Sequence, residues 1–536
     1  MKKFAMPWAG LLVFSGLLSS PLAVADSGGP DSYGYEWKDS NELDGPALEW
    51  LDISMTGELV IGLADDNSVG PIQLPKPFRY YWIDVSSLRI GSNGWVGFYN
   101  TSDITFNIAS CFPDIPTPGG AGDTFLAPLL SDLTFAGAGN PGTARYHYDA
   151  VADVFVVSYS DLPFWVNTPD GYDSARNTFQ IVLDYSSNQI RFNYQQVDPF
   201  NDGGCLNDMG VGIEAPQGQI GLQHSMEVVL SAPLTIEFTP PDTPLISIVD
   251  SAPVSGIDPD NRAVIRWNDA PLDIGASISN SGNGDGVEPI QVNAELFDST
   301  NGNFYSNTLS LAALNSGESV NVDFPPIASQ PVGLNRLELS TNSTDDYNAA
   351  NNLLLAEVLA LDSAEQVHVL AFSTAPVPNG SINWASADAS GDEGLAVYFP
   401  GVGEPVVVRQ IGAVPVNDVC GTYRFQLVDD DGEQGLPGTV LAGVDVGAGN
   451  YSINAWNDFP LASPVLMDGS GFYVVWRQIG SDCSLGTSSE TPSRRNFELI
   501  SGTFSGYRAN VSEDVMLRAT VALGAIFSDG LETTPP

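Results

Sequence analysis

The chain reads as all-β, three tandem sandwich-like domains after a signal peptide, and three observations predict it. Apolar residues alternate with polar ones at period two in short runs, the mark of strands with one face buried. Gly and Pro, 54 and 38 of 536 residues, punctuate those runs at turn spacing. No long stretch places apolar residues at i, i+3, i+4 and i+7, as an amphipathic helix requires.

Taken in order, the clearest element is a hairpin. Phe179, Ile181 and Leu183 alternate with Gln180, Val182 and Asp184; Ser186-Ser187-Asn188 turns the chain; Ile190, Phe192 and Tyr194 alternate with Arg191, Asn193 and Gln195. This predicts two paired, half-buried strands. The pattern recurs at Ile290, Val292, Ala294 and Leu296, at Val320, Val322 and Phe324, and at Tyr423, Phe425 and Leu427. Thr239-Pro240-Pro241-Asp242-Thr243-Pro244 reads as a stiff, extended linker, because each Pro fixes its own φ and biases its predecessor away from helix. The expected division is therefore 1–25 signal peptide, 26–240 first β-sandwich domain, 245–360 second domain, 361–522 third domain and 523–536 loose tail.

Charge bounds the partners. There are 65 acidic against 19 basic residues, a net charge of −46. Removing residues 1–25, which hold Lys2, Lys3 and no acid, lowers this to −48 and leaves Lys38 and Lys76 as the remaining lysines. Such a surface repels phosphate backbones and anionic lipid headgroups, so nucleic acid is excluded as a partner. It also repels itself unless salt or bound cations screen it. Acids outnumber bases in the second domain too, so the charge is a solvated surface spread over domains.

Met1-Lys2-Lys3, the apolar run Trp8–Leu18 and Ala23-Val24-Ala25 make a secretory signal with cleavage after Ala25. No later segment has the roughly 18 apolar residues of a spanning helix, so a secreted or cell-surface protein is expected. Four cysteines in an exported chain point to disulfides, and proximity favours Cys111–Cys205 and Cys420–Cys483 among three connectivities. Each would contribute roughly 4–5 kcal/mol in the chain-entropy account.

Site candidates are sparse. No G-x-S-x-G elbow, H-E-x-x-H or Walker A pattern occurs. His147, His224 and His368 are scattered. No catalytic residues are therefore assigned, and no enzyme is expected. Asp65-Asp66-Asn67 and Asp429-Asp430-Asp431 are the densest oxygen clusters in turn-like contexts, and loops of this composition can bind Ca2+. The same residues equally favour the backbone shape of an exposed turn. Trp165, beside Pro163 and Asn167, is the candidate aromatic ligand contact.

Three resemblances add to this. Asp31-Ser32-Tyr33-Gly34-Tyr35-Glu36-Trp37, Trp50-Leu51-Asp52-Ile53, Leu63-Ala64-Asp65-Asp66-Asn67 and Gly91-Ser92-Asn93-Gly94-Trp95-Val96-Gly97-Phe98 open the first domain. Asn177–Leu183, Gly212-Ile213-Glu214-Ala215, Gly218 and Gly221-Leu222-Gln223 complete the set. The domain so marked resembles an N-terminal β-domain of large exported bacterial proteins, some carrying subtilisin-like peptidase domains, and is reminiscent of nidogen-type β-domains. Asn280-Ser281-Gly282-Asn283-Gly284, Leu314-Asn315-Ser316-Gly317-Glu318-Ser319, Asn348 and Asn351-Asn352 resemble a bacterial cell-adhesion-related, immunoglobulin-like domain. That resemblance implies a spacer or adhesive role. Gly435-Leu436-Pro437-Gly438-Thr439-Val440-Leu441 and Gly471–Trp476 resemble jelly-roll-like β-sandwich domains appended to secreted hydrolases and surface proteins. The tail Ile526–Glu532 is similar to a short terminal motif on exported proteins of some gammaproteobacteria.

The expected function is thus an exported, non-catalytic binding, adhesion and spacer protein whose partner is an extracellular protein or a glycan. A carbohydrate-binding accessory protein of secreted hydrolases is the second reading, and a secreted hydrolase of unrecognised type the third. If the acidic turns hold calcium, CaCl2 raises the melting temperature more than NaCl of equal ionic strength. Indistinguishable melts with calcium and with chelator would end that expectation.

Overall fold

The computed structural model describes residues 27–523, apart from 66–67, 99–113, 117–123, 138, 169–170, 200–208, 227–229, 385–386, 388, 418, 420, 481–482, 501, 508–509 and 511. The described chain is all-β: strands, three short 3-10 turns and no α-helix. The signal peptide, the tail from Gly524 onward, Asp66, Asn67, Cys111, Cys205 and Cys420 lie outside the described residues. Cys483 is fully buried and in disulfide form. No helix among the described residues is long and apolar enough to cross a membrane.

Each sheet draws its strands from one of three stretches, 27–239, 251–361 and 367–523. The first stretch builds an eight-stranded sheet whose interior includes Leu234–Thr239, Ile190–Gln196, Asn177–Asp184 and Val154–Leu162 in that order. Its six-stranded companion runs from Gly221–Ser225 to Ser68–Tyr80. The second stretch has a three-stranded sheet centred on Leu272–Asn280 and a five-stranded sheet ending at the edge strand Asn303–Leu311. In the five-stranded sheet Val264–Trp267 pairs parallel with Leu353–Leu361. The third stretch forms sheets of four, three and six strands.

The hairpin shows how alternation becomes packing. Phe179 faces Tyr194, Ile181 faces Phe192 and Leu183 faces Ile190 across the ladder. All six are buried in the first core. On the opposite face, expected to be solvated, the middle is buried as well: Gln180 and Asn193 are at most 1% exposed, while Asp184 and Arg191 are half-buried and Gln195 is exposed. The segment Glu49–Ile53 lies across it. Gln180 donates from Nε2 to the Leu51 carbonyl (2.6 Å) and accepts from the Leu51 N–H (3.2 Å), imitating a neighbouring strand. Asn193 Nδ2 donates to the Glu49 carbonyl at 3.1 Å. Leu51 and Ile53 then pack on Val154, Val156 and Val182. Gln180 and Asn193 are thus the fasteners of an outer layer, although period-two reading assigns them to water.

The linker is docked on its neighbours. Leu245 N–H donates to the Tyr33 carbonyl at 2.9 Å. Pro241 sits where a side chain at Gly34 would be, its Cβ 2.8 Å from that position, and Gly34 has φ +120°. Only glycine meets both demands. The cores also run across the joints. Ile248 belongs to the first core and Tyr347 packs on it, while Ala263, Ile265, Leu359 and Leu361 belong to the core of the third stretch. The first and third stretches touch where Gly62 meets the side chain of Ile500.

Replacing Gln180 with Ala removes both bonds to Leu51 and leaves two partly buried backbone groups unpaired. A loss of about 2–4 kcal/mol is expected at about 1–3 kcal/mol per unsatisfied group, shared with relaxation of the segment. Chemical denaturation of Q180A against wild type measures it.

Candidate functional site

Where the first stretch, the linker and the second stretch meet, a cavity of about 740 Å3 opens. Its base is aromatic and prolyl: Tyr33, Tyr35 and Tyr81, with Pro240, Pro241 and Pro244. Its rim is polar and includes Arg79, Asn188, Gln189, Asn283 and Ser316. The turn of the hairpin supplies Asn188, which holds a positive φ of 55°. Asn tolerates that left-handed conformation better than other side chains. Arg79 is 3.3 Å from Asp84 in an exposed ion pair and remains 40% exposed.

The tyrosines are locked from behind. Asp31 Oδ1 accepts from the N–H groups of Tyr33, Gly34 and Tyr35 at 2.9, 2.7 and 3.0 Å. Its Oδ2 accepts from the Tyr81 hydroxyl at 2.7 Å. Burial raises the Asp31 carboxyl above its ordinary range, against the pull of these four donors. Tyr33 donates its own hydroxyl to the Tyr81 carbonyl at 3.0 Å, and the Tyr35 and Tyr81 rings lie 4.5 Å apart. The cavity base is therefore preorganised, and no ring needs to move to present it.

Beside the cavity, Asp250 joins the two stretches. It accepts from Trp82 Nε1 at 3.3 Å and from Asn351 Nδ2 at 2.8 Å, with Asn348 Nδ2 at 3.5 Å. Its own N–H donates to Asn280 Oδ1 at 3.0 Å. Asn280 Nδ2 in turn reaches the carbonyls of Gly284 and Leu314 at 2.9 and 3.0 Å. Asn283 clamps Ile246 and Ile248 by the same amide logic. Of the asparagines that mark the second stretch in sequence, Asn348 and Asn351 thus meet at one carboxylate and Asn280 at the backbone N–H of the same residue. Trp82 and Asp250 carry no local sequence signal, because their partners are distant in the chain.

The joint to the third stretch rests on two arginines. Arg494 Nη1 donates to the carbonyls of Asn261 and Leu355 at 2.9 and 2.8 Å. Arg495 Nε and Nη2 both donate to the Ala263 carbonyl at 2.9 and 2.8 Å, and its guanidinium lies 5.6 Å from the Tyr398 ring centroid. Burial lowers Arg495 to about 10. A usable signal existed: Arg494-Arg495 is the single adjacent arginine pair in a very acidic chain. Behind them Asp514, fully buried, accepts from Ser493 N–H, the Ser493 hydroxyl and Asn496 Nδ2.

The residues singled out from sequence do not come together. Asp65 is half-buried, far along the chain from the other acidic turn. Asp429 Oδ1 accepts from the Asp430 N–H at 3.0 Å, and Asp430 Oδ2 accepts from the Tyr398 hydroxyl at 3.0 Å. Asp431 accepts from the Thr439 N–H at 2.6 Å and the Thr439 hydroxyl at 2.7 Å. The three carboxylates serve three separate partners, shaping the turn. Among the described residues no three His, Cys, Asp or Glu side chains gather as a metal cluster. Trp165 is half-buried in a loop bridged to Tyr172, away from the lining of the cavity. His224 packs on Trp37 and His368 on Trp267, with ring centroids 4.3 and 5.5 Å apart.

Comparison with known proteins adds a family for one part. Residues 48–240 match the family model described as NIDO related. No curated protein matches. Among solved structures the chain is similar to the CARDB domain of a Pyrococcus furiosus protein in complex with di-metal ions, with 14% identity, 22% of this chain and 96% of that one, and TM-score 0.17. It is similar to carbohydrate-binding modules of the β-sandwich superfamily, with 11% identity over 52% of this chain and 96% of that one, and TM-score 0.13. A β-glucosidase from Listeria innocua in complex with glucose is 20% identical over 23% of this chain, with TM-score 0.15. The chain spans 18% of that enzyme. At these scores the structural likenesses carry no argument about ligand or activity.

Burial lifts the Asp514 carboxyl from 3.8 to about 6, against the pull of its three donors. The folded state therefore binds this proton more tightly than the unfolded chain. Its contribution is full only below the unfolded value of 3.8 and is lost as pH rises through 6. The stability difference between wild type and Asp514→Asn should fall by about 2 kcal/mol between pH 4 and 7 at fixed ionic strength. Denaturant titrations at the two pH values check this; a difference that grows with pH would contradict it.

Proposed function

We propose that the protein acts outside the cell as a non-catalytic binding and adhesion protein, its three stretches forming one platform and the cavity at the first joint its ligand site. The cavity itself carries this reading. It lies where two sandwiches meet, a usual place for ligand sites, and it combines an apolar base with a few convergent polar groups. Its base is held by Asp31 and its side by Asp250, so binding needs little reorganisation. The family match over residues 48–240 covers Arg79, Tyr81 and the hairpin turn of the lining, while Tyr33 and Tyr35 precede it.

The second reading, a carbohydrate-binding accessory protein, is favoured by the rim chemistry. Arg79, Asn188 and Gln189 present donors and acceptors of the kind that hold hydroxyl-rich ligands. Export and cleavage after Ala25 are part of the proposal, and fractionation of cells into periplasm, outer membrane and medium checks the compartment.

A glycan array followed by calorimetry separates the two readings. If the cavity holds the glycan, Arg79→Ala and Asn188→Ala each weaken binding about tenfold, the effect of roughly 1.4 kcal/mol, and Trp165→Ala leaves it unchanged. Loss with Trp165→Ala alone would move the site to its loop. Binding to an extracellular protein and to no glycan would favour the adhesion reading.

A further inference from the structure

The joint between the second and third stretches encloses a separate cavity of about 230 Å3. Ser299, Arg336, Glu357, Thr374, Glu490 and Thr491 contribute to its lining. Glu357 is 3% exposed, and its Oε2 is buried with no hydrogen-bond partner among the described residues. A carboxyl oxygen in that state is costly and calls for a reason.

The neighbouring charges do not supply one. Arg336, directly across the ladder from Glu357, donates to Glu338 Oε1 at 2.8 Å and Asn301 Oδ1 at 3.0 Å. Arg494 is engaged by two backbone carbonyls. Glu490 accepts from the N–H groups of Thr374 and Ala375 at 2.9 and 3.1 Å and from the hydroxyls of Ser373 and Thr374, both at 3.2 Å. Asp298, also in the lining, accepts through Oδ1 from the Thr300 N–H and hydroxyl and from the Gly302 N–H. The cavity thus offers one buried carboxyl oxygen without a partner among the described residues, Glu357 Oε2, close to hydroxyl-bearing side chains.

That donor set discriminates between occupants. Calcium needs six to eight oxygens, several of them anionic, and no group of three metal-binding side chains gathers among the described residues. A primary ammonium has three donors. One carboxylate and two hydroxyl acceptors satisfy it. The volume exceeds that of one water, about 30 Å3, and admits an ammonium head on a short alkyl stem. Among the described residues both lysines are engaged elsewhere: Lys38 and Lys76 are paired with Asp44 and Asp153 at 2.9 and 2.8 Å. A net charge of −46 draws cations from solution toward the site.

We propose that this cavity receives a primary ammonium group from another molecule, a lysine side chain or a small free amine, with Glu357 as its carboxylate. In the empty site, burial and the carboxylates of Asp514 and Glu490 keep Glu357 protonated well above the ordinary range, against Arg494 and Arg336. Entry of an ammonium ionises it, and the proton leaves to solvent. Affinity therefore rises with pH while the amine stays charged.

Calorimetry on the full chain tests this with four probes: propylammonium, tetramethylammonium, Nα-acetyl-lysine methylamide and calcium chloride. Saturable binding of the two primary amines is expected, with proton release visible across buffers of different ionisation enthalpy. Tetramethylammonium, which has no N–H, should not bind. Glu357→Gln should weaken binding about ten- to a hundredfold, the loss of one charge-assisted bond. Tighter binding of the lysine derivative assigns the source as a protein side chain, and tighter propylammonium binding as a free amine. No saturable amine binding, equal binding of tetramethylammonium, binding without proton release, or calcium in place of the amines would each overturn the proposal. Proton release is read on wild type, so the test stands even if Glu357→Gln fails to fold. Arg79→Ala, in the other cavity, should leave it untouched.

Discussion

Buried polar groups at the joints between sandwiches must find partners, and that demand organises the whole molecule. A carboxylate or guanidinium out of water is tolerated only when bonded, and losing one partner of such a set costs about 3–5 kcal/mol. Asp250 meets the demand by collecting Trp82 from one side and Asn348 and Asn351 from the other. Arg494 and Arg495 meet it by capping carbonyls of residues 261, 263 and 355. Such bonds fix orientation as well as proximity, because amide and guanidinium donors are directional. Apolar contact alone would permit sliding.

The consequence is a joint that behaves as interior. Tyr347 packs on the core of the first stretch, Trp82 lies 5.8 Å from it ring to ring, and four apolar residues of the second stretch complete the core of the third. Both cavities lie at these joints and inherit their rigidity. Their chemistry differs. The first has an aromatic base with an amide-rich rim, and the second is acidic with one unsatisfied oxygen. Among the described residues both lysines are paired elsewhere, and the arginine in the lining, Arg336, is held by Glu338 and Asn301.

Strand content was legible in the sequence because alternation is local. Phe179, Ile181 and Leu183 face the core as their spacing requires. What alternation could not show was the second covering layer, since Gln180 and Asn193 look like solvent-facing residues until Glu49–Ile53 is laid over them. The asparagines at 280, 283, 348 and 351 were legible as a pattern, while the groups they bind lay hidden in distant segments. Local density of acidic residues does not mark a site. Asp429, Asp430 and Asp431 are adjacent in sequence, yet each is bonded to its own partner. Glu357 sits inconspicuously in a strand and becomes noticeable only through the burial of its carboxyl.

Bonded joints of this kind should hold the three stretches as one rigid body in solution, and small-angle X-ray scattering of the full chain reads that property without a label or a ligand. A rigid body gives a bell-shaped Kratky plot that returns to baseline and one radius of gyration that the described arrangement reproduces. A Kratky plot that fails to return, with a curve that needs many arrangements to fit, would show modules swinging on free linkers, and the joints described above would then not hold in solution.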